Sequence, residues 1–161
     1  SGRWYTIEVV GLVVYDDVTD FGAIQAEVMK HQPGLVIIDH YGHVDYGDPS
    51  EHPSVRKERL TRACKLLASR ANTHMMLVAH PTKGAAGNAA PTMYDVEYLN
   101  PKDMNQIFAL TADKDAPPTS ALAATSVRGW VLKNRGGKLG QWPMIFAQAY
   151  THFHAPQGVA L

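Results

Sequence analysis

The sequence predicts an α/β fold, a mostly parallel sheet with helices on both faces and a C-terminal antiparallel hairpin. Three observations predict it. Two apolar runs, Leu35-Val36-Ile37-Ile38 and Met75-Met76-Leu77-Val78-Ala79, end in polar residues, Asp39-His40 and His80. Apolar character without alternation belongs to strands buried on both faces. Segments of helical period precede and separate these runs, with short links, which is the pattern of parallel strands joined by right-handed crossovers. Finally, a basic, glycine-rich tip at 133–140 (Lys-Asn-Arg-Gly-Gly-Lys-Leu-Gly) joins two strand-like stretches that read as antiparallel.

Taken in order, residues 4–15 are rich in strand formers, and Gly11 divides them in two. The second piece, Leu12-Val13-Val14-Tyr15, reads as a strand ending at Asp16 and Asp17. Thr19 or Asp20 can cap a following helix, because a side-chain oxygen there accepts from an orphan backbone N–H. Phe21, Ile24, Val28 and Met29 give that helix an apolar face, Lys30-His31 suit its C-terminus, and Pro33 stops it. After Asp39 a polar loop runs to Pro53, and Ser54 is the expected cap of a helix over 55–71. The charged residues of that helix read as a solvated face. Residues 84–91 form a small-residue loop, and 95–104 suggest a short helix broken near Pro101. Ile107-Phe108-Ala109-Leu110 is a strand, 113–120 a turn, and 127–132 with 142–146 form the antiparallel pair. Beyond Tyr150 little pattern remains.

A chain of 161 residues holds one domain with one substantial core. Fifteen Lys and Arg balance fifteen Asp and Glu, which argues against a strongly basic nucleic-acid domain but leaves room for a local patch. The single cysteine, Cys64, excludes an internal disulfide framework and reads as a small buried hydrophobe in a helix. No apolar run approaches the eighteen residues of a membrane span, and Ser1-Gly2 has no signal-peptide layout. A cytoplasmic protein, without membrane partners, is expected.

Tips that follow adjacent parallel strands converge on one edge of an α/β sheet. Here they would present Asp39 and His40 beside His80, Thr82 and Lys83. A carboxylate there suits Mg²⁺, which takes oxygen ligands and keeps waters. A histidine beside it can sense a γ-phosphate or orient a water. Lys133, Arg135 and Lys138 add fixed positive charge, and arginine a planar fork, for phosphate. Together these groups form a phosphoryl-transfer set. One part is absent: no Gly-x-x-x-x-Gly-Lys-Ser/Thr loop occurs to cradle phosphates, so the chain is not expected to bind ATP well unaided. Blander readings stand beside these, with His80 a satisfied histidine at a strand end, the basic tip solvated, and His152 and His154 tail residues. A rival constellation, Asp39, His40, His43, Asp45 and Asp48 with His80, His152 and His154 downstream, mixes the groups of a dinuclear metal hydrolase. It matches no sharp metal signature. Neither His-Glu-x-x-His, Gly-x-Ser-x-Gly nor Cys-x-x-Cys occurs.

The order of these elements resembles the C-terminal RecA-like motor domain of replicative ring helicases, of the bacterial DnaB type and the phage primase-helicase type. The resemblance covers about residues 11–147. Leu35-Val36-Ile37-Ile38-Asp39 looks like the Walker B strand. Met76-Leu77-Val78-Ala79-His80-Pro81-Thr82-Lys83 looks like the sensor strand and the start of the DNA-binding loop. Residues 131–140, with Lys133 and Arg135, are similar to the family's Lys-x-Arg element and its glycine-containing turn. The resemblance implies a partial RecA-like P-loop NTPase core lacking its N-terminal Walker A part, with 1–161 as a single-domain fragment. It implies Mg²⁺ and ATP as cofactors in the intact protein, Mg²⁺ held by Asp39 and the nucleotide contacted by His80, Lys133 and Arg135. Thr82, Lys83 and Asn88 would touch single-stranded DNA. Arg135, with Lys133, would reach the nucleotide of a neighbouring subunit in a homo-oligomeric, hexameric ring. The setting would be the cytoplasm of a bacterium or a phage-infected host cell, and the chain, part of an ATP-dependent DNA helicase motor, would be inactive alone. The alternatives are a non-catalytic RecA-like scaffold module and the metal-dependent hydrolase.

Overall fold

The computed structural model describes residues 11–82, 90–96, 99–112, 124–147 and 152–154. The strand expected over 4–10, most of the small-residue loop and the turn at 113–120 lie outside these residues. Helix α1 is Phe21–His31 and helix α2 is Pro53–Ala71. Strands β1 (Leu35–Ile38) and β2 (His74–Leu77) pair in parallel, while β3 (Gln106–Ala112), β4 (Ala124–Asn134), β5 (Gly140–Ala147) and β6 (His152–His154) form an antiparallel sheet in that order. Short 3₁₀ turns occupy Tyr41–His43 and Pro101–Asp103.

Local chemistry accounts for the helix ends. Asp20 caps α1, its Oδ1 accepting from the Ala23 N–H at 2.9 Å. Gln32 ends the helix with φ 45°, its N–H bonded to the Val28 carbonyl. Helix α2 begins earlier than Ser54 suggested. His52 is the cap, its Nδ1 accepting from the Ser54 N–H at 3.3 Å, and Pro53 fits the first turn because no partner is needed for the N–H it lacks. Asn72 terminates α2 with φ 50°.

Both helices lie on one face of the β1–β2 pair. Phe21 and Val28 of α1 and Leu60, Cys64 and Leu67 of α2 form the core with Ile38, Tyr41 and Val44, and Val36, Met75 and Leu77 pack against it. The opposite face is bare, with Leu35 54%, Ile37 56%, Met76 50% and Val78 37% exposed. The expected single, mostly parallel sheet with helices on both faces is therefore corrected. The described strands form a two-stranded parallel sheet covered on one side and a separate four-stranded antiparallel sheet. Continuous apolar sequence still marked strands suited to burial on both faces, but the described residues contain only one covering layer.

Residues 12–15 form no strand, contrary to expectation. Leu12, Val13 and Val14 are exposed and Tyr15 anchors the segment by donating its hydroxyl to Glu27 at 2.6 Å. No described strand lies beside it to satisfy its N–H and C=O groups, and β-propensity alone does not make a strand. The antiparallel sheet is larger than expected, because β6 pairs with β5 through Ile145–His154, Phe146–Phe153 and Ala147–His152. In β4, Gly129 is required by close packing: a Cβ there would lie 2.5 Å from the Trp142 indole. No described helix is long and apolar enough to cross a membrane.

Candidate functional site

Parallel pairing of Ile38 with Leu77 brings the C-terminal ends of β1 and β2 side by side. The pairing continues past the strands, with the Val78 N–H on the Ile38 carbonyl at 2.9 Å and the Tyr41 N–H on the Val78 carbonyl at 3.0 Å. Asp39 is exposed, makes no hydrogen bond or ion pair to another described residue, and joins His40 through a cis peptide. Three imidazoles gather beside it. His40 stacks on His43, with centroids 4.3 Å apart, and meets His80 edge-on at 4.4 Å. The Nδ1 of His40 accepts from the Gly42 N–H at 3.0 Å, which leaves Nε2 as the protonated nitrogen of the neutral ring.

A cleft of about 370 Å³ opens at this tip, its lining including His40, His43, Asp45, Arg56, Lys57 and His80. The cleft floor is built by α2. Lys57 Nζ donates to the carbonyls of Gly42 at 2.7 Å, Val44 at 2.8 Å and Tyr41 at 3.4 Å, fixing the turn that follows Asp39. Burial holds the Lys57 ammonium below the usual lysine range, and the Arg56 charge adds to the effect. Tyr41, buried, returns a hydrogen bond from its hydroxyl to the Lys57 carbonyl at 3.1 Å, and burial pushes that hydroxyl up. The Nε of Arg56 is buried with no hydrogen-bond partner among the described residues. Asp48 lies away on an exposed turn, where the Ser50 N–H, at 2.8 Å, holds its carboxyl below the usual range.

Among the described residues no three His, Cys, Asp or Glu side chains are arranged to hold a metal ion. The mixed carboxylate and imidazole set around 39–48 thus lends the metal-hydrolase reading no support. His40 and His43 stack face to face and His80 meets His40 edge-on, so the described rings contact one another without forming a ligand set.

The basic tip lies on the other sheet. Lys133 Nζ donates to the Pro101 carbonyl, Arg135 Nη2 to the Lys102 carbonyl at 2.7 Å, and the Arg135 N–H to the Asn105 carbonyl at 3.1 Å. Desolvation, with the Arg135 and Lys65 charges beside it, holds the Lys133 ammonium below its ordinary range. The turn receiving these bonds is anchored to α2, because Asn100 Nδ2 donates to Glu58 Oε1 at 3.0 Å and Asp103 lies 3.9 Å from Lys65 Nζ. Lys138 is exposed. No described contact joins Asp39 or His80 to Lys133 or Arg135.

Of the residues expected to touch DNA, Thr82 is half-buried and its N–H donates to the Asp95 carbonyl at 2.7 Å, beside a bridge between Pro81 and Val96. Lys83 and Asn88 lie outside the described residues. Sequence reasoning missed Lys57, read as part of a solvated face, and Asn100. Lys57 carries no local signal, since it acts on a segment distant in sequence; Asn100 before Pro101 has the form of a turn cap, but its bond to Glu58 leaves no local mark.

The arrangement defines a fold class, an α/β fold resembling a partial RecA-like core. No protein-family model matches the sequence, and no curated protein matches it. Among solved structures the chain is similar to a DnaB-like replicative helicase, studied for its interactions with primase, with a TM-score of 0.69 and 15% identity over 84% of this chain and 34% of that one. It is similar also to the solved ATPase domain of a second protein, with a TM-score of 0.69 and 16% identity over 84% of this chain and 50% of that one. The chain spans about a third to a half of these structures. At such identity the likeness is one of fold.

Proposed function

We propose that this chain is part of an ATP-dependent DNA helicase motor, the half that carries the Walker B acid, a sensor histidine, the start of a DNA-binding loop and an arginine finger. The observation that carries the reading is the parallel pairing of β1 with β2, which sets Asp39 and His80 on one edge of a fold shared with helicase ATPase domains. Asp39 fits a magnesium role as an exposed carboxylate with no partner among the described residues, leaving the remaining ligands to phosphate and water. Bound there, Mg²⁺ with ATP would neutralise charge on the phosphates. His80 would couple the γ-phosphate to residues 81–94, among them Thr82, Lys83 and Asn88. Arg135, with Lys133, would complete a neighbouring subunit's site in a ring and stabilise charge developing on the transferred phosphoryl group.

The phosphate-binding half would come from outside this sequence, which has no phosphate loop. The bare face of β1 and β2 supports this, since parallel strands are found covered on both faces. The purified chain should therefore hydrolyse no ATP, and robust turnover at micromolar concentration would sink the proposal. In the intact protein, from the cytoplasm of a bacterium or phage-infected cell, Asp39→Ala and Arg135→Ala should each abolish ATPase activity and translocation. Mixed rings of the two variants should regain part of the activity, because half-mutant assemblies contain interfaces with an intact acid and an intact neighbouring arginine. Silence of both substitutions would favour a non-catalytic scaffold instead.

A further inference from the structure

We propose that Asn100 is a positioning residue that holds the Arg135 guanidinium from helix α2, so that the acidic and basic tips of one subunit are set by the same helix. Its description as positioning a finger rests on the finger reading of Arg135. The geometry itself does not.

Both ends of the Asn100 amide are in use. Nδ2 donates to Glu58 Oε1 at 3.0 Å, and Oδ1 accepts from the Lys102 N–H at 3.0 Å, capping the Pro101–Asp103 turn. The Lys102 carbonyl then accepts from Arg135 Nη2 at 2.7 Å. A single residue, Lys102, is thus held at its N–H by Asn100 and holds Arg135 at its C=O. Asp103 of the same turn faces α2 further along, 4.0 Å from Arg62 Nε and 3.9 Å from Lys65 Nζ, with its carboxylate only 14% exposed and its Oδ2 without a hydrogen bond among the described residues. The adjoining Pro101 carbonyl takes Lys133.

The position of Glu58 gives the arrangement its consequence. Its chain neighbour Lys57 binds the carbonyls of Tyr41, Gly42 and Val44 behind Asp39 and His40. Successive helical residues point in different directions. Here one points to the β1 tip and the next to the turn that carries the Arg135 contact. A displacement of the first turns of α2 therefore shifts both tips together, through hydrogen bonds that are directional and charge-assisted at Glu58 and Arg135.

Asn100→Asp isolates the link. An aspartate keeps the oxygen that caps Lys102 but loses the donor and sets a carboxylate against Glu58. In the chain as it stands, NMR should show faster solvent exchange of the Arg135 Nε–H and guanidinium protons, by roughly two- to thirtyfold. Glu58→Ala, which removes the acceptor from the other side, should accelerate exchange similarly. Adding Glu58→Lys to Asn100→Asp restores an opposite-charge pair and should slow exchange again. In the intact ring, Asn100→Asp should lower kcat while leaving KM for ATP nearly unchanged. Unchanged Arg135 exchange in both single variants overturns the proposal, even if Arg135→Ala abolishes ATPase activity. Accelerated and rescued exchange with an ATPase indifferent to Arg135→Ala upholds the link from α2 and overturns the finger reading instead.

Discussion

The tip of β1 and the tip of the β4–β5 hairpin differ in what is held. At the acidic tip the backbone is fixed, by Lys57 on three carbonyls and by Tyr41 beneath, while the Asp39 side chain makes no hydrogen bond or ion pair to another described residue. At the basic tip the charged side chains themselves are tied down, Lys133 and Arg135 each to a carbonyl of the Pro101–Asp103 turn. A side chain already ordered loses less entropy when it engages a ligand. The chain thus orients Lys133 and Arg135 internally, whereas the Asp39 carboxylate has no partner among the described residues.

The largest effect should come from undermining the acidic tip's foundation. Leu60 is fully buried in the core that α1, α2 and β1 share, so Leu60→Ala should cost about 2–5 kcal/mol in urea unfolding. Lys57→Met keeps the apolar stem and removes the ammonium from three carbonyls, with an expected loss of about 1–3 kcal/mol. If Lys57→Met unfolds no more easily than the parent, the tip is not held as described. A pH titration tests the same core. Burial pushes the Cys64 thiol from 9.0 up to about 12, so its folded value lies above its unfolded one. The unfolded chain loses this proton first as pH rises. Stability from the buried thiol is therefore complete below pH 9 and is lost as pH climbs from 9 towards about 12, at up to ~1.4 kcal/mol per pH unit. Cys64→Ala should flatten that slope. The smallest effect belongs to the basic tip, where Arg135→Gln should change stability by less than ~1 kcal/mol, because the group is exposed. A loss above ~2 kcal/mol would make the tip a structural clamp and erase the contrast.

Much of the candidate site was legible, for local reasons. The runs ending at Asp39 and His80 are short, apolar and punctuated, and β1 and β2 form there in parallel. Asp20 and Pro33 bracket α1, and Cys64 is buried in α2. Of the short helix expected over 95–104 the described residues form the turn at Pro101–Asp103, and that turn receives Lys133 and Arg135. His43 was visible as a possible metal ligand, but its stacking on His40 was not, because ring orientation depends on the turn that Lys57 fixes.

By itself the sequence determined the periodic elements, the polar residues at their ends and the lack of a phosphate loop, since these depend on neighbours a few residues apart. Tertiary structure alone decided that residues 12–15 join no described strand and that β1 and β2 are covered on one face by the described helices. It also decided that Lys57 and Glu58, adjacent in the chain, serve opposite tips. The physical reason is that strand pairing and burial require a second segment, and a hydrogen bond between residues 58 and 100 has no signature in either segment alone.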